Sequence, residues 1–146
     1  MLLHALALSL ITLVAPTVGA GECVVIAPLA GPETAFGGDD CSHRTLPAST
    51  FKIPHALIAL QTQVVTARSV VRWDGVRRDY DAWNRDQTLE SAIRMSAVWV
   101  FQQFATAIGR DRELEYLKKF SYGSAAFEHD VTSFWLNGDQ IGRAHV

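Results

Sequence analysis

The stretch from Pro47 to Leu60, PASTFKIPHALIAL, most narrows what this chain can fold into. An apolar run follows Pro54, and proline is tolerated in the first turn of a helix, so the stretch predicts a helix starting at residue 50 or 51. Ser49 then caps that helix, and Lys52, three residues later, lies on the same face. The serine hydroxyl would stand among unpaired backbone N–H groups, which can hold an oxyanion.

The Ser49 and Lys52 pair has a chemical interpretation and a structural one. Apolar residues follow Lys52, and burial among them would lower a lysine pKa from about 10.4 by up to about 3–5 units. A neutral amine can take the proton of a neighbouring serine, as a nucleophilic serine requires near neutral pH. Ser-x-x-Lys alone is a weak motif, because a capping serine followed by a solvated lysine gives the same letters.

The remaining pattern places strands first and helices afterwards. CVVIAPL reads as a strand and FGGDDCSHRTL as a turn with a short second strand, which together predict a hairpin. Residues 88–108 have apolar side chains at helical spacing after a cap at Asp86 or Thr88. Residues 111–120 form an amphipathic helix with acids first and lysines last, and YGSAAF reads as a loop.

Composition limits the classes of function. The 146 residues are 49% apolar and 19% charged, which suits one domain with a packed core. A formal net charge of −2 gives no reason to expect a nucleic-acid or acidic-membrane partner. No Gly-rich phosphate loop occurs, and neither the cysteines nor the histidines have metal-ligand spacing, so no metal is expected; the histidines are His4, His43, His55, His129 and His145.

The first twenty residues predict a secretory signal peptide. MLLHALALSLITLVAPTVGA carries no charged residue, is too interrupted for a good membrane span, and ends in small residues that suit cleavage after Ala20. The expected mature chain is periplasmic or secreted, with no stable membrane anchor after cleavage. A missing Lys or Arg near Met1 is the weak point, and an ordinary buried helix is the alternative.

Both cysteines, Cys23 and Cys41, lie just after the predicted cleavage point and flank the predicted hairpin. An oxidising compartment would let the two thiols form one disulfide. Two free, buried thiols are the alternative.

Several blocks together resemble one family, the class D (oxacillinase-type) serine β-lactamases. The blocks are PASTFKIPHALIAL, RWDG, WNRDQTLESAIRMSAVWVFQ, YLKKFSYGS and FWLNG, in that order, spanning about residues 21–138. Ser-x-x-Lys also occurs in related serine β-lactamases and penicillin-binding proteins. The resemblance implies an α+β fold in which a helical block packs on an antiparallel sheet built from N-terminal and C-terminal strands.

The resemblance also implies a mechanism. Ser49 matches the nucleophile that opens the β-lactam ring and becomes an acyl-enzyme. Lys52 matches the lysine that takes up CO2 from bicarbonate as a carbamate (N6-carboxylysine) and serves as general base, with no other cofactor. Ser96, in Ser-Ala-Val, matches the serine that relays a proton to the leaving nitrogen. A mid-helix serine bonded to a carbonyl is the alternative for Ser96, and Ser91 is a nearby competitor.

Other matched residues support or line the site. Val98 matches the apolar wall that shields the carbamate, and Trp135, in FWLNG, matches the tryptophan whose indole N–H holds it. Tyr122, Gly123 and Ser124 match a Tyr-Gly-Asn loop, with serine replacing asparagine. Val98 and Trp135 would otherwise be ordinary core residues.

The family also has a Lys-Thr-Gly or Lys-Ser-Gly strand after the FWLxG block, and none occurs here. The last six residues, IGRAHV, correspond to the codons ATC GGA AGA GCA CAC GTC, a string that resembles a widely used sequencing adapter. We therefore expect a signal peptide at 1–20, the N-terminal part of a penicillin-binding/β-lactamase domain at 21–140, and a non-native tail at 141–146. With the C-terminal strands and helix missing, we expect little turnover from this fragment.

Two other functions stay open at this point. A penicillin sensor or transpeptidase domain would acylate at Ser49 without turnover, although a cleavable leader and the FWLNG and WNRDQ blocks favour the lactamase. A non-catalytic exported domain would use Ser49 merely as a cap. The favoured partner is a small-molecule β-lactam.

Overall fold

The computed structural model describes residues 23–26, 28, 30–32, 34–37, 44–137 and 142–143. The chain divides into two compact units, residues 1–41 and residues 42–146. The predicted signal peptide, Cys41 of the predicted disulfide, and most of the predicted tail lie outside the described residues. No helix within the described part of the chain is long and apolar enough to cross a membrane.

The first unit contains the predicted hairpin. Strand β1 (Cys23–Ile26) pairs antiparallel with β2 (Thr34–Gly37), so that Val24 lies opposite Phe36. The second strand begins earlier than expected, before the FGGDDCSHRTL segment. The reason is an earlier reversal of the chain, where Gly31 has a φ of +127°, a conformation that glycine adopts without strain.

The second unit is mostly helical. Its helices are α1 (Lys52–Gln61), α2 (Leu89–Arg94), α3 (Val98–Ile108) and α4 (Arg110–Lys119). Two short antiparallel pairs accompany them, β3 (Arg44–Thr45) with β6 (Gly142–Arg143) and β4 (Val70–Val71) with β5 (Gln87–Thr88). Helix α3 packs against both α1 and α4, which makes it the centre of this unit.

The predicted continuous helix over residues 88–108 is wrong, since the structure breaks it into α2 and α3. Thr88 is the cap of α2: its hydroxyl accepts from the Ser91 N–H at 3.2 Å, and its own N–H donates to the Ser91 hydroxyl at 2.9 Å. The helix ends after Arg94 because Ser96 has a φ of +51° and Ala97 is extended. Apolar spacing could not reveal this break, because the period continues through it.

Aromatic rings fill the core beside α1. Phe51 makes ring contacts with Phe134 at 4.9 Å and with Trp135 at 5.6 Å between centroids, and all three side chains are fully buried. The hydrophobic residues that are completely inaccessible or nearly so include Ile58, Val100, Phe101, Ile108 and Leu117. Burying such side chains contributes about 1.5–3 kcal/mol each, which fixes the position of α1 and the segment before it.

One buried polar pair crosses this core. His55 of α1 and Glu113 of α4 have side chains with no exposed surface, and His55 Nε2 lies 3.6 Å from Glu113 Oε2. Burial raises the pKa of Glu113 to about 8, and burial with the nearby Lys52 charge lowers the pKa of His55 to about 3. Both shifts favour the uncharged forms, as expected where charge cannot be solvated.

This pair predicts a pH dependence of stability. The protonated Glu113 stabilises the fold fully below its unfolded pKa near 4.5, and that contribution is lost as pH rises through about 8. The neutral His55 contributes fully above its ordinary pKa of 6.5 and loses its contribution as pH falls toward 3, so the two slopes oppose one another between 4.5 and 6.5.

Above pH 6.5 only the Glu113 slope remains, and the free energy of unfolding should fall by on the order of 1 kcal/mol per pH unit up to about pH 8. Glu113→Gln should remove that fall in chemical denaturation, because glutamine does not titrate. Glu115→Gln, which removes an exposed carboxylate from the same helix, is the control and should retain it. Equal slopes in the two variants would contradict the assignment.

Candidate active site

Ser49 lies in a short 3₁₀ helix, Ala48–Phe51, that leads directly into α1. Pro47 is the N-cap of this turn and Phe51 is the N-cap of α1, and neither end has a side-chain cap, so the predicted capping role of Ser49 is wrong. The hydroxyl is instead engaged by two side chains: the Lys52 Nζ and the Ser96 Oγ each donate to Ser49 Oγ at 3.0 Å. The helical i, i+3 spacing of Ser49 and Lys52 produces the contact that the sequence predicted.

Lys52 is buried, with 3% of its surface exposed. Of the apolar residues that follow it in sequence, Ala56 and Ile58 are buried, whereas Ile53 and Leu57 are on the exposed side of α1. The ring of Phe101 on α3 contacts Lys52, with Nζ 5.8 Å from the ring centroid. Burial lowers the pKa of Lys52, which confirms the expected direction and moves the amine toward its neutral form.

Ser96 reaches Ser49 from the break between α2 and α3. The backbone there is held by the Ser96 N–H donating to Ile93 O at 3.0 Å and the Ala97 N–H donating to Ala92 O at 2.8 Å. A φ of +51° is unfavourable for serine, and such strain is typical of functional positions. The mid-helix alternative for Ser96 is therefore wrong, and Ser91 is occupied in the cap of α2.

Trp83 supports this break, although sequence reasoning gave it no role. Its indole N–H donates to Met95 O at 2.8 Å, and its own carbonyl accepts from the Trp99 indole N–H at 3.1 Å. The signal that could have revealed this role is a tryptophan at the start of the polar WNRDQ segment, because a buried indole N–H needs an acceptor.

A pocket of about 370 Å³ opens over Ser49. Its lining residues are Ser49, Tyr80, Trp83, Met95, Ser96 and Val98. The two serine hydroxyls thus lie beside mainly apolar lining residues, which suits a small ligand with an apolar part next to its reacting group. Val98 lies at the predicted wall position, while Tyr80 and Met95 are lining residues that sequence reasoning missed.

Trp135 is on the buried side of this site. Its indole is fully buried and lies against Phe51 and His55, with centroids 5.6 Å and 5.2 Å away. Among the described residues, nothing accepts a hydrogen bond from Trp135 Nε1. A buried indole N–H normally has an acceptor, so this position is suited to one.

The Tyr122, Gly123 and Ser124 segment is only partly associated with the site. Tyr122 contacts the Phe51 ring edge-on at 5.6 Å, and burial raises the pKa of its hydroxyl, which is hydrogen-bonded to Thr50. Gly123 has a φ of +55°, as a tight turn requires. Ser124 Oγ donates to Ala126 O at 3.2 Å within its own loop, and none of the three lines the pocket.

The backbone conformation of Ser96 predicts a difference in stability between two substitutions. Ser96→Gly and Ser96→Ala both remove the hydroxyl, but only glycine relieves the positive φ. We expect the glycine variant to be about 1 kcal/mol more stable than the alanine variant in thermal or chemical unfolding. Both variants lose the hydroxyl contact to Ser49 equally, so an alanine variant as stable as the glycine variant would contradict the strain.

Comparison with known proteins places the chain in a family. Residues 23–143 match the family described as Penicillin binding protein transpeptidase domain. A Pseudomonas aeruginosa protein, Beta-lactamase OXA-10, is 50% identical over 98 residues, which cover 66% of this chain and 37% of that protein. A Salmonella typhimurium protein, Beta-lactamase OXA-2, is 47% identical over 96 residues, which cover 65% of this chain and 35% of that protein.

Solved structures agree. Class D beta-lactamase BAT-2 aligns with a TM-score of 0.69 at 39% identity, covering 74% of this chain and 46% of that chain. BPu1 beta-lactamase aligns with a TM-score of 0.74 at 36% identity, covering 80% of this chain and 51% of that chain.

The chain belongs to the penicillin-binding protein transpeptidase domain family. Within that family its relatives and structural neighbours are class D β-lactamases, which confirms both the class D resemblance and the α+β fold inferred from the sequence. The chain spans little more than a third of the length of these two curated relatives, 37% and 35%.

Proposed function

We propose that the protein encoded by the complete open reading frame is an exported class D serine β-lactamase that hydrolyses β-lactams through an acyl-enzyme. One observation carries the proposal: Ser49 Oγ lies 3.0 Å from both Lys52 Nζ and Ser96 Oγ at the floor of a pocket. A nucleophile touching a base and a second hydroxyl is the arrangement that serine acyl transfer requires.

The two contacts supply the proton transfers. A neutral Lys52 amine has a lone pair, so rotation of the Ser49 hydroxyl turns their contact into one that accepts its proton. Ser49 Oγ then attacks the β-lactam carbonyl carbon, the ring C–N bond breaks, and the Ser96 hydroxyl can pass a proton to the leaving nitrogen. Water attack on the resulting ester releases the product acid and restores Ser49.

The residues around Lys52 also fit a carbamate on its amine. Carbamate formation needs a neutral amine, and burial lowers the pKa of Lys52 in the required direction. The buried Trp135 Nε1, which has no acceptor within the described residues, is a donor suited to one of its oxygens. When bound, this group would supply carboxylate oxygens as the general base in place of the amine nitrogen.

The direct test is oxacillin hydrolysis by the mature protein, with and without bicarbonate, beside Ser49→Ala. We expect bicarbonate-dependent turnover that falls by several orders of magnitude in Ser49→Ala, because the nucleophile is lost. Ser69→Ala, which removes a serine hydroxyl outside the pocket, should retain it. Labelling by a fluorescent penicillin without turnover would indicate a sensor or transpeptidase instead, and no labelling would indicate a non-catalytic domain.

Trp135→Phe tests the fit to a carbamate. Removing the indole N–H should raise the bicarbonate concentration needed for half-maximal turnover by about fivefold, the effect of one hydrogen bond. Trp73→Phe, which removes an indole N–H that donates to Val76 O away from the pocket, is the matched control and should leave that concentration unchanged. An unchanged requirement in Trp135→Phe would remove Trp135 from this role.

A further inference from the structure

His55 and Glu113 form a polar island inside the core that the proposed mechanism does not use. Both side chains have no exposed surface, and all four of their polar atoms lack a hydrogen-bond partner among the described residues. Leaving such groups unpaired lowers stability, whereas apolar residues would fill the same space without that cost. The two side chains approach each other, with 3.6 Å between Nε2 and Oε2, which is within a small side-chain adjustment of a hydrogen bond.

The polar island lies next to two residues of the proposed mechanism, Lys52 and Trp135, on the buried face of α1. His55 follows Lys52 by one helical turn on the same buried face of α1. Its imidazole contacts the Trp135 indole in an edge-on arrangement, at 5.2 Å between centroids and 73° between planes. The rings of Phe51 and Phe101 contact the same imidazole, with centroid distances of 5.4 Å and 5.7 Å. Aromatic rings therefore restrict movement of the imidazole, apart from rotation of its ring.

The charge state of the island matters for Lys52. His55 feels the charge of Lys52 and contacts Glu113, so an ionised Glu113 would favour the ammonium form of Lys52 and oppose the effect of burial. A protonated Glu113 carries no charge and therefore does not favour the ammonium form of Lys52. Its O–H can donate a hydrogen bond to the neutral His55 imidazole. The burial-driven pKa shifts of both groups, Glu113 upward and His55 downward, agree with this arrangement.

We propose that Glu113 and His55 are positioning residues for Trp135 and Lys52: the protonated Glu113 carboxyl donates to His55 Nε2 and fixes the imidazole against the indole, without placing a charge beside the lysine. This inference rests on the proposed β-lactamase function for its effect on the reaction. The donor, rather than the volume of the side chain, is what the site needs from Glu113.

Two substitutions separate donor from volume. Glu113→Gln retains a donor at the same distance along the side chain, whereas Glu113→Met fills similar space with no donor. We expect the methionine variant to shift the indole ¹H–¹⁵N signal of Trp135 and to raise the half-saturating bicarbonate concentration about fivefold. The glutamine variant should leave both close to wild type. With four tryptophans in the chain, the Trp135 signal can be assigned by its loss in Trp135→Phe.

The outcomes are distinct. Equal bicarbonate requirements in the two variants, with equal shifts in thermal midpoint, would make the pair purely structural and overturn the inference. An unmoved Trp135 signal in Glu113→Met would do the same. A wild-type protein that hydrolyses no β-lactam refutes the proposed function, and the Trp135 signal still decides whether Glu113 positions the indole. If Glu113→Met does not fold, His55→Asn tests the same contact from α1 through the same two measurements.

Discussion

The position of the Lys52 amine constrains the rest of the helical unit. An ammonium group in an aromatic core is costly, and the described surroundings supply Phe101 and the Ser49 hydroxyl rather than a carboxylate partner. The amine is therefore driven toward its neutral form, which is the form that can accept a proton. Burial lowers stability, yet it is what makes Ser49 and Lys52 a chemical pair rather than a surface pair.

The other parts of the site hold that pair in place. The ring cluster around Phe51 fixes the 3₁₀ turn that carries Ser49, and the strained break at Ser96 brings a second hydroxyl to the same oxygen. Trp83 secures the break by donating to the carbonyl of Met95. Strain at Ser96 is thus offset by packing and hydrogen bonds elsewhere, a common arrangement at functional sites.

Local rules predicted the elements better than the contacts. The hairpin, the helix with Pro54 in its first turn, the Thr88 cap and the α4 helix all follow from turn residues, capping chemistry and helical spacing. The break at Ser96 did not, because it depends on tertiary contacts that apolar periodicity does not encode. Glu113 reads as an ordinary acid in a first helical turn, which the helix dipole favours, and only the packing of α4 on the core reveals that it is buried. The catalytic roles came from the family resemblance, since Ser-x-x-Lys alone did not distinguish a nucleophile from a cap.

The pKa of the Lys52 amine is the most direct test of this account. The chain has three lysines, so labelled lysine side chains can be followed individually by NMR across a pH titration. We predict that burial makes the Lys52 amine titrate with a pKa below its ordinary value of 10.5, while Lys119, paired with Glu115, titrates above that value. A Lys52 that titrates together with Lys119 would mean that the amine is solvated and charged, and it would contradict the activation of Ser49 by burial.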